Sequence, residues 1–248
     1  MLISSDLLNF RKNHPKTVTF SSPEENLSAL LDNIKKLEID HNLKPGHVRL
    51  IAVSKTRTAE EIRKLAKVGQ IDFGENYVQE AVDKMTKLND KDITWHFIGP
   101  IQKNKTKLIA QHFHWVQSID RDVIAKRLND QRPDHLPKLN VCIQVNIDDE
   151  ESKSGIVLDE MLPLAQHIDG LPKLTLRGLM AIPKASNNYS AQRKTFNKMR
   201  DSLAQLQEQG YDVDTLSMGM TNDYEAAIAC GSTMVRIGTA IFGPRTSD

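Results

Sequence analysis

Leu50-Ile-Ala-Val-Ser-Lys-Thr56 is apolar through Val53 and then closes on Ser54, Lys55 and Thr56. An apolar run of this length suits a parallel strand buried on both faces. No glycine-rich turn follows it, although an open dinucleotide-binding sheet would place one after its first strand. From here β-rich runs recur at 48–53, 71–73, 94–98, 114–118, 141–147, 175–181, 216–218 and Met234–Ile237, with helical patterns between them. Eight strand–helix alternations in 248 residues predict a single (β/α)8 TIM barrel, a fold of ~250 residues.

Helix signals fill the gaps. Ser22-Pro-Glu-Glu25 reads as an N-cap, a proline at the first helical position and a capping-box glutamate. Leu27, Leu30, Leu31, Ile34 and Leu37 follow at helical spacing, so an additional N-terminal helix is expected, ending at Lys44-Pro-Gly46. Thr58-Ala-Glu-Glu61 is a second capping box, with Gly69 as the stop. Asp120 is expected to cap a helix carrying Val123, Ile124 and Leu128, and residues 222–225 to open another. Residues 1–21 read as an N-terminal arm and residues 22–248 as the barrel.

Hydrophobic residues make up 39% of the chain and charged residues 26%, enough for a packed core. Lys and Arg total 33 against 32 for Asp and Glu, and a net charge of +1 gives no field to attract nucleic acid or an anionic membrane. Cys142 and Cys230 lie in apolar settings, and no Cys/His cluster marks a zinc site. No stretch reaches the ~20 apolar residues of a membrane span, and the N-terminus lacks a secretory pattern, so a cytoplasmic protein is expected.

Lys55 is the first candidate functional residue. An ammonium at the end of an apolar strand is costly to desolvate, and a lysine that loses its charge attacks aldehydes. Two readings compete: a Schiff-base lysine, or a side chain that snorkels to water. In a barrel the C-terminal strand ends line the active site. Those positions hold Lys55, Asn76, His96, Asn146, Met180, Ser217-Met-Gly-Met220 and Arg236-Ile-Gly-Thr239. Gly238-Thr239 opens a short helix whose free N–H groups suit a phosphate, with Ser217 adding a hydroxyl; alternatively Gly219 and Gly238 only serve tight turns. Arg236 cannot shed its proton, so it faces either a ligand acceptor such as a ring nitrogen or a carboxylate, Asp223 or Glu225. His96 reads equally as a hydrogen-bonded core histidine or a catalytic one. His112 and His114 have a spacing that would suit a metal on one strand face, without a third ligand. Lys103, Lys105 and Lys107 read as a solvated basic face.

Together these segments resemble a known family, the pyridoxal phosphate (PLP) homeostasis proteins of the YggS/PROSC group. The resemblance is carried by Ala52-Val-Ser-Lys-Thr56, Phe73-Gly-Glu-Asn-Tyr-Val-Gln-Glu80, Trp95-His-Phe-Ile-Gly-Pro-Ile-Gln-Lys-Asn-Lys105, Gln144-Val-Asn-Ile147, Lys153-Ser-Gly155, Leu176-Arg-Gly-Leu-Met180, Leu216-Ser-Met-Gly-Met220 and Gly231-Ser-Thr-Met-Val-Arg-Ile-Gly-Thr-Ala-Ile-Phe-Gly243. The motifs arrive in order from Leu50 to the C-terminus. The residues before Leu50 look longer than the family's usual first helix, Ile101 stands where a leucine is common, and Asn222 and Tyr224 occupy variable positions. The resemblance implies a barrel like the N-terminal domain of alanine racemase, with PLP on Lys55. It further implies Ser217, Gly238 and Thr239 at the phosphate, Arg236 at the pyridine nitrogen and Asn76 near the ring. An arginine there would leave the ring nitrogen unprotonated and weaken the cofactor as an electron sink.

The implied function is a monomeric carrier that binds, buffers and delivers PLP to PLP-dependent apo-enzymes, with little or no amino-acid turnover and no catalytic residue. The chain closes three residues after Phe242-Gly-Pro-Arg245, so no second domain is expected. The alternative is a racemase-like PLP enzyme, which needs a second acid/base opposite the lysine; Tyr77 is the nearest candidate. A phosphosugar aldolase built on Lys55 lacks an acid/base partner on a neighbouring strand.

Overall fold

Ser22 opens the described part of the chain, which in this computed structural model comprises residues 22–148 and 154–244. The expected arm at residues 1–21, Lys153 and Arg245 lie outside the described residues. Ser22 and Glu25 close their capping box at 3.2 and 3.0 Å and start α1 (Pro23–Asp40). The chain then runs through β1 (Arg49–Val53), α2 (Ala59–Lys67), β2 (Asp72–Glu75), α3 (Val78–Leu88), β3 (Thr94–Phe97), α4 (Thr106–His112), β4 (Trp115–Ile119) and α5 (Asp122–Gln131). It continues with β5 (Leu139–Val145), α6 (Met161–Asp169), β6 (Leu174–Ala181), α7 (Tyr189–Glu208), β7 (Thr215–Ser217), α8 (Tyr224–Ala229), β8 (Met234–Ile237) and α9 (Thr239–Phe242). Each strand pairs in parallel with the next and β8 returns to β1, so the sheet closes into the expected (β/α)8 barrel. Every predicted strand lies within two residues of its observed position.

Alternation along the strands makes two apolar shells. Ile51, Trp115, Cys142, Met180 and Met234 cluster inside the barrel. Their strand neighbours, among them Ala52, Val116, Val141, Leu179 and Val235, join the larger core beneath the helices. One irregularity breaks the period. Between β5 and β6 the pairing steps from Val141↔Leu176 to Cys142↔Gly178, leaving Arg177 as an extra residue on β6.

Several local expectations are corrected. α1 stops at Asp40, before Lys44-Pro-Gly46, with His41 at its C-cap. Asp120 does not cap α5: Arg121 is the N-cap, and the Asp120 carboxylate accepts from Arg121 Nε at 2.9 Å instead. Asp223 precedes α8, but its Oδ1 accepts the Met220 N–H at 2.6 Å, so it shapes the loop before the helix. His112 ends α4 whereas His114 Nδ1 accepts from the Trp95 N–H, so the two do not share a strand face. Among the described residues, no helix is long and apolar enough to cross a membrane.

Candidate cofactor-binding site

β1 ends at Val53, and Lys55 sits in the turn beyond it, between Ser54 and a left-handed Thr56 with φ 64°. Lys55 is half-buried and lines a cavity of about 330 Å³ at the C-terminal mouth of the barrel. Asn76, Arg236, Gly238 and Thr239 line the same cavity, so five of the six sequence-predicted residues meet there. Arg57, Thr221 and Asp223 join them.

Ser217 does not line the cavity. It is fully buried, donates its hydroxyl proton to Gln117 Oε1 at 2.6 Å and accepts from Arg236 Nη1 at 2.7 Å. Its expected place at a phosphate is therefore corrected: both sides of the hydroxyl are taken, beneath Arg236. Thr221, in the loop after β7, is the hydroxyl residue that reaches the cavity from this side. Sequence reading missed it because a loop residue carries no periodic signal.

Arg236 donates from Nη2 to the Ala181 carbonyl at 2.8 Å and is almost wholly buried. Burial pulls its pKa down to about 10, with the Asp223 charge opposing, so it stays cationic at neutral pH. Burial also pushes the Asp223 carboxyl up. His96 proves to be a core histidine: fully buried, with Nε2 2.8 Å from Asp72 Oδ1 and Nδ1 3.0 Å from Gln117 Nε2. Burial drives its pKa down, against the pull of Asp72.

Behind the Lys55 turn lies a buried ionic cluster. Lys84 on α3 contacts Glu75 at 2.7 Å and Glu80 at 2.6 Å, and burial raises the Glu75 carboxyl while Lys84 lowers it. The sequence held a signal for it: Lys84 falls on the apolar face of α3 with Val78 and Ala81, four residues after Glu80.

Residues 26–246 match the model of the alanine racemase N-terminal domain family. The chain is 52% identical over 226 residues to the pyridoxal phosphate homeostasis protein of Haemophilus influenzae, covering 90% of this chain and 95% of that one. It is likewise 52% identical over 223 residues to the protein of that name from Escherichia coli K12, covering 89% and 95%. The chain belongs to the pyridoxal phosphate homeostasis protein family. PipY of Synechococcus elongatus, solved with PLP bound, is 33% identical with a TM-score of 0.79, covering 90% of this chain and all of that one. In this family member the amine, the buried arginine and the glycine-opened helix stand around one opening, while Tyr77 is 57% exposed and lies outside the cavity lining.

Proposed function

We propose that the protein binds pyridoxal 5′-phosphate at the barrel mouth and acts in PLP homeostasis. It holds and buffers the cofactor in the cytoplasm as a monomer and delivers it to PLP-dependent apo-enzymes, with little or no amino-acid turnover. Residues 22–248 form the binding unit. The observation that carries this reading is the meeting of an amine, Lys55, a buried cation, Arg236, and an anion-suited helix start, Gly238 and Thr239, in one cavity. Its volume of about 330 Å³ falls within the range of small-ligand sites.

The residues present fit the group. Among the described residues, Asn76 Oδ1 is buried without a hydrogen-bond partner and belongs to a cavity-lining residue, so a ligand donor would satisfy it. A Cβ on Gly238 would come 3.1 Å from the Val53 carbonyl oxygen, so glycine lets the start of α9 pack closely against the end of β1 beside the cavity. When bound, PLP supplies an aldehyde for amine capture and a pyridine ring that can accept electrons. Lys55 would take the aldehyde, and Thr221 in place of Ser217 would be the hydroxyl donor to the phosphate beside Gly238 and Thr239. Arg236 would present a cation to the ring nitrogen, which would keep that nitrogen unprotonated and disfavour carbanion chemistry. The racemase alternative finds no support in Tyr77, which faces solvent.

Borohydride reduction of the PLP-loaded protein, followed by peptide mapping, should fix the pyridoxyl group on Lys55, and Lys55→Ala should abolish the adduct. An adduct mapped to another residue would overturn the assignment. Incubation with D- and L-amino acids should show no turnover near enzyme rates of about 1 per second, while mixing with a PLP-requiring apo-enzyme should activate it.

A further inference from the structure

Lys84 lies on the helix side of the barrel wall, opposite the cavity side occupied by Lys55. Its ammonium has three protons, and each has a partner: the Ser54 carbonyl at 2.7 Å, Glu75 Oε1 at 2.7 Å and Glu80 Oε1 at 2.6 Å. Ser54 adds its own hydroxyl to Glu75 Oε1 at 2.6 Å, and its N–H donates to the Gly74 carbonyl at 3.0 Å. On the other side of Lys55, the Thr56 N–H donates to Glu80 Oε1 at 2.6 Å. Thr56 adopts φ 64°, a left-handed conformation unfavourable for a β-branched residue, so the turn needs an outside restraint. Lys84 and Glu80 supply it on both flanks of Lys55. Glu75 is also the neighbour in sequence of cavity-lining Asn76, so the same cluster anchors a second wall of the site.

We infer that Lys84 and Glu80 are positioning residues for Lys55: they clamp the Ser54–Thr56 turn from behind so that the Lys55 amine meets the ligand aldehyde. This rests on the reading of Lys55 as the PLP-capturing amine. With every proton engaged, Lys84 is itself withheld from carbonyl chemistry, which leaves Lys55 as the reacting amine of the pair.

The test compares PLP with pyridoxine 5′-phosphate, which has the same ring and phosphate but an alcohol in place of the aldehyde, so it probes the site without amine capture. Binding of both is measured on the unmodified chain and on Lys84→Met, Glu80→Ala, Glu80→Gln and Lys55→Ala, with thermal unfolding recorded in parallel. Lys84→Met and Glu80→Ala should lose at least about tenfold in PLP affinity and leave pyridoxine 5′-phosphate within about twofold. Glu80→Gln should recover most of the loss, because its amide oxygen can still accept from Thr56. Should Lys84→Met fail to fold with Glu75 left unpaired, Glu80→Ala against Glu80→Gln decides alone. Equal losses for both ligands, or no loss for PLP, overturn the clamp. An unmodified chain that binds the two ligands as Lys55→Ala does overturns the Lys55 reading, and the clamp with it.

Discussion

Asp72 on β2 and Arg236 on β8 are the two ends of one hydrogen-bond chain through the barrel interior. Arg236 can only donate, so Ser217 Oγ accepts and passes its own proton to Gln117 Oε1. The Gln117 amide nitrogen must then donate to His96 Nδ1, which leaves the His96 proton on Nε2, facing Asp72. Every link donates in the same direction, from the cavity cation to the buried carboxylate. Asp72 is held below the usual carboxylate range by His96 and Arg49, against the cost of burial, so the chain has an anion at its end.

Ser217 and Thr221 should therefore separate cleanly by ligand. Ser217→Ala removes the acceptor for Arg236, so PLP and phosphate-free pyridoxal should weaken alike. Thr221→Val should weaken PLP by one to two orders of magnitude, as expected from ~1.5–3 kcal/mol for a donor to a charged acceptor, and leave pyridoxal nearly unchanged. Titrations of the four combinations check it, and a phosphate-selective loss in Ser217→Ala would restore that residue to the phosphate.

His96 should give the fold a mild acid sensitivity. An unfolded His96 takes up its proton near 6.5, whereas the buried one does so only at lower pH. Below 6.5 the unfolded chain therefore holds more protons and stability falls as pH falls. Glu75, raised by burial, acts in the opposite sense above 4.5 but is present in both chains compared. Urea unfolding at pH 7.5 and 5.5 should show the unmodified chain losing more stability over that interval than His96→Gln, by up to about 1.4 kcal/mol per pH unit. Parallel slopes would refute the assignment.

Gly99 should matter for the site as well as for packing. A Cβ there would lie 2.4 Å from the Asn76 carbonyl oxygen and 2.7 Å from its Cα, so backbone has to move. Gly99→Ala is expected to cost about 1–3 kcal/mol of stability and to lower PLP affinity by displacing Asn76. Calorimetry and ligand titration on the same preparation read both effects; unchanged affinity would remove Asn76 from the site.

The thiols should be inert in the folded protein. Cys142 and Cys230 are buried, and burial pushes the Cys142 thiol up to about 12. A thiol-disulfide reagent at pH 8 should react slowly with native protein and titrate both thiols in denaturant. Rapid native labelling of Cys142 would contradict a closed barrel interior.

The barrel was legible because its strands are apolar runs separated by helical periodicity, a signal that local sequence carries. Lys55, Asn76, Arg236, Gly238 and Thr239 were legible because a barrel sends its strand ends to one opening. Ser217 was misplaced for a related reason: it ends β7, yet its side chain turns into the interior, where its partner Gln117 is 100 residues away in sequence. Lys84 escaped notice because an i, i+4 Glu–Lys pair usually marks a solvated face. Of the two, only the Ser217–Gln117 partnership leaves no periodic trace.

The extra residue in β6 reaches further than its own strand. Leu174 and Leu176 belong to the outer core, and so do Leu179 and Ala181, an odd step that only the Arg177 insertion allows. Deleting Arg177 would leave Val141↔Leu176 and Cys142↔Gly178 as successive pairs, so plain alternation would keep Leu179 and Ala181 outside and Met180 inside. The bulge can thus absorb the loss of one residue without turning the Ala181 carbonyl away from Arg236. What such a deletion would remove is the Arg177 guanidinium, which lies 5.2 Å from the Trp115 ring and pairs with Asp214.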